Sequence, residues 1–177
     1  MTLLENSPQT APHPHPHHPH QQTPHLQTVH TEADDPAATA LVAGLLAELT
    51  ARIGADALAE FDHRRREEFA PWLGGDLLVL AEDGRTVAGG AYRRYDSTTV
   101  ELDWIWTRPD RRRGGLARRV VAELENAAGW RGYQRAYAVI GPGRTEARGL
   151  LMTSGYALLG SAAGPLDYLG FVKTLSR

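Results

Sequence analysis

A strand pattern, an arginine-glycine turn and a helix pattern follow one another without a break between residues 98 and 125. The first part, "TTVELDWIWT", alternates in polarity as a half-buried strand does. The alternation predicts Val100, Leu102, Trp104 and Trp106 on one face and Glu101, Asp103 and Ile105 on the other. The last part, "LARRVVAELE", repeats its apolar residues at helical spacing. A strand joined to a helix by so short a turn favours a fold in which helices cover a sheet.

The segments around this junction predict the rest of one α/β domain. "DLLVLAEDGRTVAGGAYRRY" indicates a hairpin, because Asp83-Gly84 suits a type I′ turn between two strand patterns. After the helix come a short buried strand, "RAYAVIG", a helix, "TEARGLLMTSG", and two strands, "YALLG" and "YLGFVKTL". Strands and helices that alternate after a hairpin favour a mixed sheet flanked by helices.

One strand and two helices are predicted before the hairpin. The strand covers Leu26 to Thr31. In "DDPAATALVAGLLAELTARIG", Asp35 is placed to cap an amphipathic helix that Gly54 ends. A second helix covers Asp56 to Ala70 and ends before Pro71, which cannot continue it.

Residues 1–25 are predicted to form a disordered tail ahead of a domain at 26–177. The tail is crowded with proline, histidine and glutamine, and it holds too few apolar residues to offset the entropy of ordering. Alternating prolines fix no coordination geometry, so weak, unselective metal binding or no metal role is expected of the nearby histidines. These are His13, His15, His17, His18, His20, His25 and His30.

The composition excludes several kinds of chemistry. The chain contains no cysteine, which removes disulfides, thiolate metal sites and acyl-cysteine intermediates. Arginine clusters leave a nucleic-acid-binding role as an alternative, but the chain has no basic pI, no interleaving of aromatic and basic residues and no recognised binding motif. No secretion signal or membrane-length apolar run is present, so a cytoplasmic protein with no membrane partner is expected.

The arginine-glycine turn has the properties of an anion site. The start of a helix leaves backbone N–H groups unpaired and carries a partial positive charge. Glycine lets an anion approach that backbone, and Arg111, Arg112 and Arg113 add full charges. The chain has no G-x-x-x-x-G-K-[ST] loop and no G-x-G-x-x-G fingerprint after a strand. The predicted guest is therefore a pyrophosphate bound without either nucleotide motif.

The turn and its surroundings resemble a known family. "RRGGLA", Arg112 to Ala117, matches [QR]-x-x-G-x-[GA], the acyl-coenzyme A (acyl-CoA) site that follows a strand in the GNAT superfamily of N-acetyltransferases. The order of hairpin, acid-bearing strand, turn, helix, strand, helix and "SGYALLG" is also similar, over Leu26 to Leu175. The resemblance implies a single GNAT-like domain with a mixed, mostly antiparallel sheet. It implies acetyl-CoA as co-substrate and a primary amine as acceptor.

The resemblance also assigns residues to the cofactor. The pyrophosphate would lie against backbone N–H groups, with the Arg111 or Arg113 side chain near other phosphates. The residues of this cradle are Arg112, Arg113, Gly114, Gly115, Leu116 and Ala117. The backbone of Ile105, Trp106 and Thr107 would pair with the pantetheine arm like an added strand, and one of these amides would polarise the thioester carbonyl. No residue is assigned to a metal.

Acidic and phenolic side chains are the candidates for proton transfer. An amine is mostly protonated at neutral pH, and Glu101 lies where many family members carry a general base, although it could instead pair with an arginine. Asp103 is the reserve candidate and could instead bind a cationic acceptor. Relatives often carry a proton-donating tyrosine at the position of Leu151. Tyr156 and Tyr168 are the available substitutes, with pocket lining as their alternative role.

Two functions are open at this point. The first is N-acetylation by direct transfer within a ternary complex, since no cysteine or G-x-S-x-G elbow could carry the acetyl group. The alternative is a non-catalytic acyl-CoA-binding module, in which the missing tyrosine marks lost chemistry. The sequence identifies neither the acceptor nor the oligomeric state, and a homodimer is one option.

Overall fold

Seven strands form one sheet in the computed structural model, which describes residues 25–54, 63–141, 143–161 and 168–176. The strands are β1 (Leu26–Thr31), β2 (Asp76–Glu82), β3 (Arg85–Arg94), β4 (Thr99–Thr107), β5 (Arg135–Ile140), β6 (Ala157–Ser161) and β7 (Leu169–Thr174). Their order is β1-β2-β3-β4-β5-β7-β6. Only β4 and β5 pair in parallel, and the other neighbours are antiparallel, which confirms the predicted mixed sheet.

Helices cover both faces of this sheet. Those in the described residues are α1 (Thr39–Ile53), α2 (His63–Glu68), α3 (Leu116–Trp130) and α4 (Thr145–Thr153). None of the helices in the described ranges is long and apolar enough to cross a membrane. The prediction of a single α/β domain of this architecture is confirmed.

Local sequence signals set the ends of the N-terminal elements. The Asp35 side chain accepts a hydrogen bond from the Ala37 amide at 2.7 Å and caps a short 3-10 turn that leads into α1, as predicted. Gly54 ends α1 with a φ of 69°, which glycine adopts easily. Of the helix predicted over 56–70, the structure shows His63–Glu68, and residues 56–62 lie outside the described residues. Residues 1–24 of the predicted tail also lie outside them.

The β1, β2 and β3 strands lie side by side in antiparallel pairs, and β2 and β3 form a hairpin. Asp83 and Gly84 join β2 to β3 with φ values of 49° and 76°, and two positive φ angles are what a type I′ turn requires. His30, one of the histidines considered for metal binding, lies in β1, and its Nδ1 is 3.1 Å from the buried Asp76 carboxylate. The predicted hairpin is confirmed.

A β-bulge interrupts β4 at Trp104. Its φ is 55°, and the register with β3 shifts on either side of it. Asp103 lies opposite Ala91, whereas Trp106 lies opposite Gly89, so two residues of β4 face one residue of β3. From Trp104 onwards, each side chain of β4 therefore points to the face opposite the one that strict alternation predicts.

The prediction that all the apolar residues Val100, Leu102, Trp104 and Trp106 share one face of β4 is wrong, because the bulge turns both tryptophans to the other face. One face carries Val100, Leu102 and Ile105, and the other carries Glu101, Asp103, Trp104 and Trp106. We call these the α3 face and the α1 face, after the helix that packs on each. A larger core lies on the α3 face, between the sheet, α3 and α4. A smaller core lies on the α1 face and includes Ala38, Leu41, Phe69, Leu77, Val79, Ala91 and both tryptophans.

The α1 helix packs directly on the indole ring of Trp106. A Cβ built at Gly44, in the middle of α1, would overlap that ring. Glycine lets the helix come this close to a ring that the bulge has turned towards it, and a larger residue would push the helix away from the sheet.

Gly44→Ala is expected to lower the free energy of unfolding by about 1–3 kcal/mol, because overpacking outweighs the better helix propensity of alanine. Gly149→Ala in α4 is the matched control, since a Cβ there meets nothing within 4 Å. That change is expected to stabilise the protein by about 1 kcal/mol or less. Urea unfolding measures both changes, and two variants with effects of the same sign would contradict this packing.

Candidate active site

The parallel strands β4 and β5 stop pairing before either strand ends. Their register runs from Thr99 opposite Arg135 to Leu102 opposite Ala138. The β4 strand continues to Thr107, and the bulge at Trp104 lies just beyond the last pair. Within the described residues, the β5 side of β4 therefore has no strand partner from Asp103 onwards. An extended ligand could pair with this backbone as an added strand does.

The arginine-glycine turn lies at the end of β4 and leads into α3. Arg113 and Gly115 have φ values of 61° and 79°, so the chain reverses within a few residues. The α3 helix begins at Leu116 with no side chain capping its first N–H groups. A Cβ at Gly115 would meet nothing within 4 Å, which shows that the space over the turn is open. Unpaired N–H groups facing open space at a helix start fit a pyrophosphate.

Two of the three arginines in the turn bind acidic residues of the protein itself. Arg111 pairs with Glu82 at the end of β2. Arg112 pairs with Glu48 of α1, and its Nε donates to the carbonyl oxygen of Thr107 at 3.2 Å. These contacts hold the turn against β2, β4 and α1. Sequence reasoning missed them, because the acidic partners are distant in the chain.

Arg113 is the turn arginine that remains available to a ligand. Its side chain is exposed and makes no hydrogen bond or ion pair with the residues that the structure describes. The sequence named Arg111 or Arg113 for contacts with further phosphates, and the observed pairing favours Arg113. Between the end of β4 and these three arginines, Arg108 donates to Asp110 at 2.6 Å, and this hydrogen bond lowers the pKa of the Asp110 carboxyl.

Glu101 lies on the α1 face within a chain of ion pairs. Both Nε and Nη2 of Arg93 donate to its Oε2, at 3.1 and 2.8 Å. The same guanidinium contacts Glu68 of α2, so Arg93 lies between two carboxylates. The Glu101 side chain is 13% exposed, so it is largely buried but not sealed. Pairing with an arginine was the alternative role considered for Glu101, and the β3–β4 register, which places Arg93 opposite it, explains the pair.

Asp103 is next to Glu101 on the same face and contacts the bulge. Its Oδ1 accepts a hydrogen bond from the backbone amide of Trp104 at 2.8 Å. This contact stabilises the left-handed backbone of Trp104, which residues other than glycine seldom adopt. Asp103 therefore has a structural role in addition to any role towards an acceptor.

Tyr156 is buried in the core of the α3 face. Its hydroxyl is buried beside the Glu125 carboxylate, and Lys173 Nζ lies 5.7 Å from its ring centre. Burial raises the pKa of this phenol above its usual range, and the nearby Glu125 carboxylate raises it further. Glu101 faces the other side of the sheet, so the structure does not bring these two candidates together.

Leu151, where relatives often carry a tyrosine, is buried in the same core as Tyr156. Tyr168, the other candidate, packs near Gly141, where a Cβ would lie 3.2 Å from its ring. The residue that sequence reasoning missed is Tyr137, which lies opposite Glu101 on β5. Burial raises the pKa of Tyr137, and the charges of Tyr95 and Glu101 add to the rise. A phenol is therefore present on the α1 face, beside the candidate base.

Comparison with known proteins tests the family. Residues 46–156 match the model of the Acetyltransferase (GNAT) family. An acetyltransferase from Streptococcus agalactiae superposes with a TM-score of 0.70 at 17% identity, covering 85% of this chain and 98% of that one. A GNAT-family acetyltransferase from Staphylococcus aureus superposes with a TM-score of 0.69 at 10% identity, covering 86% of this chain and 100% of that one. The yncA protein of Salmonella typhimurium, solved with its cofactor acetyl-CoA, superposes with a TM-score of 0.66 at 18% identity, covering 86% of this chain and 95% of that one.

No curated protein sequence matches this chain. At identities below 20%, the solved structures show a shared fold and nothing finer. The family model, in contrast, spans well over half of the 177 residues and includes β4, the arginine-glycine turn and α3. The chain therefore belongs to the GNAT family of acetyltransferases, acyl-CoA N-acyltransferases that use acetyl-CoA.

Proposed function

We propose that this enzyme transfers an acetyl group from acetyl-CoA directly to a primary amine that binds on the α1 face. The observation that carries the proposal is the position of three features at one end of the sheet. The β4 backbone loses its β5 partner, the bulge at Trp104 follows at once, and the uncapped start of α3 lies just past the end of β4. The unpaired β4 backbone can bind the pantetheine arm of an extended acyl-CoA, and the start of α3 can bind its pyrophosphate.

The proposed cofactor contacts follow from that geometry. The backbone N–H groups from Arg112 to Ala117, with Gly114 and Gly115 leaving the approach open, hold the pyrophosphate, and Arg113 adds a charge. The backbone of Ile105–Thr107 pairs with the pantetheine arm, and one of its amides donates to the thioester oxygen as negative charge develops there. The open space over Gly115 and the missing β5 partner of β4 support these assignments.

Glu101 is the proposed general base. It removes a proton from the ammonium form of the acceptor, directly or through a water molecule, and the free amine nitrogen then attacks the thioester carbon. The carbon–sulfur bond breaks as the amide bond forms. The leaving thiolate resembles that of cysteine, with a pKa of about 8.5, so it can leave with little help and take up a proton afterwards. Arg93 holds the Glu101 carboxylate in place during this exchange.

The direct transfer is supported by the composition of the chain. It contains no cysteine, so an acyl-cysteine intermediate has no carrier. Asp103 is the proposed reserve base, and it already contributes to the site by bonding the Trp104 amide. A homodimer stays a prediction. The edge strand β6 exposes Leu158 and Leu159, which such an interface would cover.

Glu101→Gln is expected to lower kcat/KM for an amine acceptor by about 10²- to 10⁴-fold, the usual contribution of a general base, and to leave acetyl-CoA affinity within about threefold. Release of free thiol over a range of pH measures the first value, and calorimetry the second. Glu146→Gln, at an exposed carboxylate in α4, is the control and is expected to behave as the wild type. A Glu101→Gln enzyme with unchanged turnover at every pH would transfer the role to Asp103, which Asp103→Asn would then test.

Gly115→Ala is expected to weaken coenzyme A binding by about tenfold or more. A side chain at a φ of 79° strains the turn by about 1–2 kcal/mol, and its Cβ occupies the space over the anion cradle. Gly132→Ala, at the other end of α3, is the matched control, since Gly132 also has positive φ and open space. Both variants should lose similar stability, but only the first should lose affinity in calorimetry. Equal coenzyme A affinities of the two variants would contradict the proposed binding of the pyrophosphate at this turn.

The Tyr156→Phe variant tests whether Tyr156 donates a proton in catalysis or only packs in the core. Because the folded-state pKa is raised, stability is full below the unfolded pKa of about 10 and is lost as pH rises beyond it. Phenylalanine cannot ionise, so the variant is expected to lose less stability above about pH 10, with kcat at neutral pH within about twofold of the wild type. Thermal unfolding at neutral and alkaline pH, together with thiol release, measures both. A fall in kcat of more than about tenfold would establish Tyr156 as the proton donor.

A further inference from the structure

We propose that the acceptor amine carries a second cationic group, which binds against the exposed ring of Tyr95 while the reacting amine lies at Glu101. The inference rests on the proposed amine acetylation, because it concerns how the same acceptor is held. It identifies the acceptor class as a diamine or another molecule with two separated positive charges.

Two tyrosine rings lie together on the α1 face, at the start of β4 and β5. The ring centres of Tyr95 and Tyr137 are 5.2 Å apart, with an angle of 48° between the rings. Tyr137 is partly buried, and its hydroxyl lies above Gly170 of β7, where a Cβ would come within 3.1 Å of it. Tyr95 is 61% exposed, so the pair presents an aromatic surface to solvent. A cation can bind over such a ring, with a gain of about 0.5–1 kcal/mol at an exposed site.

Carboxylates and guanidinium groups both lie beside these rings. Glu68 and Glu101 both contact Arg93, so two carboxylates share one guanidinium. Glu68 is 42% exposed and lies at the solvent side of the group. Arg135, which begins β5 near the rings, adds a second positive charge and donates to Thr98 Oγ1 at 3.2 Å. The exposed ring of Tyr95, and not a net charge, is therefore the feature that suits an ammonium or guanidinium group.

The spacing allows one molecule to reach both places. Tyr137 is level with Glu101 in the β4–β5 register, and the pairing of the two strands ends at Leu102. The backbone amide of Tyr95 donates to Thr99, so Tyr95 lies two residues, or about 7 Å along a strand, from Glu101. A chain of about six methylene groups between two amino groups can span that distance. One amino group would then meet Glu101, the candidate base, and the other would lie against the ring of Tyr95.

The test compares 1,6-diaminohexane with hexylamine, which has the same chain and one charge fewer. With acetyl-CoA and the full chain, kcat/KM from thiol release is expected to be at least about fivefold higher for the diamine, with the difference in KM. Two reactive amino groups account for only twofold of that ratio. The advantage is expected to shrink as salt is raised, since part of it is electrostatic.

Two variants locate the effect. Tyr95→Leu keeps an apolar side chain but removes the ring, and it is expected to lower kcat/KM for the diamine by about three- to fivefold and for hexylamine by less than twofold. Trp130→Leu is the control, because this tryptophan is 91% exposed at the far end of α3, and it should change neither value.

Calorimetry gives a readout that does not depend on turnover. The complex of enzyme and coenzyme A is expected to bind 1,6-diaminohexane about fivefold more tightly than hexylamine, and Tyr95→Leu should remove the difference. Equal affinities for the two amines would overturn the inference and leave the proposed function standing, with the tyrosines as a structural pair. Tight diamine binding with no thiol release from any amine would instead overturn the proposed function, and the inference about its acceptor with it.

Discussion

The left-handed backbone of Trp104 in β4 is the constraint on which both sides of the site depend. One extra residue on β4 turns Trp104 and Trp106 to the α1 face and Ile105 to the α3 face. The tryptophans then supply the core on which α1 packs, closely enough that Gly44 has no room for a side chain. The β4 strand also parts from β5 just before the bulge, which leaves its backbone open to an extended ligand.

Two of the arginines in the turn bind other parts of the protein, and the third is available to a ligand. Arg111 and Arg112 reach Glu82 and Glu48, on elements that flank the turn, and Arg112 also binds the last carbonyl of β4. Partly exposed ion pairs of this kind contribute little stability each, commonly 0–1 kcal/mol. Their effect here is positional, because they hold a turn with two left-handed residues against the sheet. The backbone amides of the turn and the Arg113 side chain are then available for the proposed contacts with the cofactor.

The α1 face gathers the groups that would meet an acceptor. Glu101, Arg93 and Glu68 form a chain of contacts from β4 to α2, and Tyr137 lies next to Glu101 on β5. A candidate base that already bonds an arginine is fixed in orientation, and catalysis by a positioned group gains from such fixation. Tyr156, by contrast, is surrounded by core residues on the other face. The phenols that flank the candidate base are therefore Tyr95 and Tyr137.

Much of the fold was predictable because its signals are local. The Asp35 cap, the Asp83-Gly84 turn, the helical spacing after Gly115 and the strand patterns each depend on residues within a few positions of one another. The "RRGGLA" turn is local in the same sense, and with the order of elements it indicated the family and its cofactor. The position of the candidate base on β4 was likewise predictable from its spacing to that turn.

The sequence by itself thus determined the main elements, their order, the arginine-glycine turn and the family. Only the tertiary structure decided which side chains meet: that Trp104 bulges, that Arg93 holds Glu101, that Glu48 binds an arginine 64 residues away, and that Tyr137 lies beside the candidate base. Those contacts depend on strand register and on packing between distant segments, and a shift of one residue in register sends a side chain to the other face of the sheet.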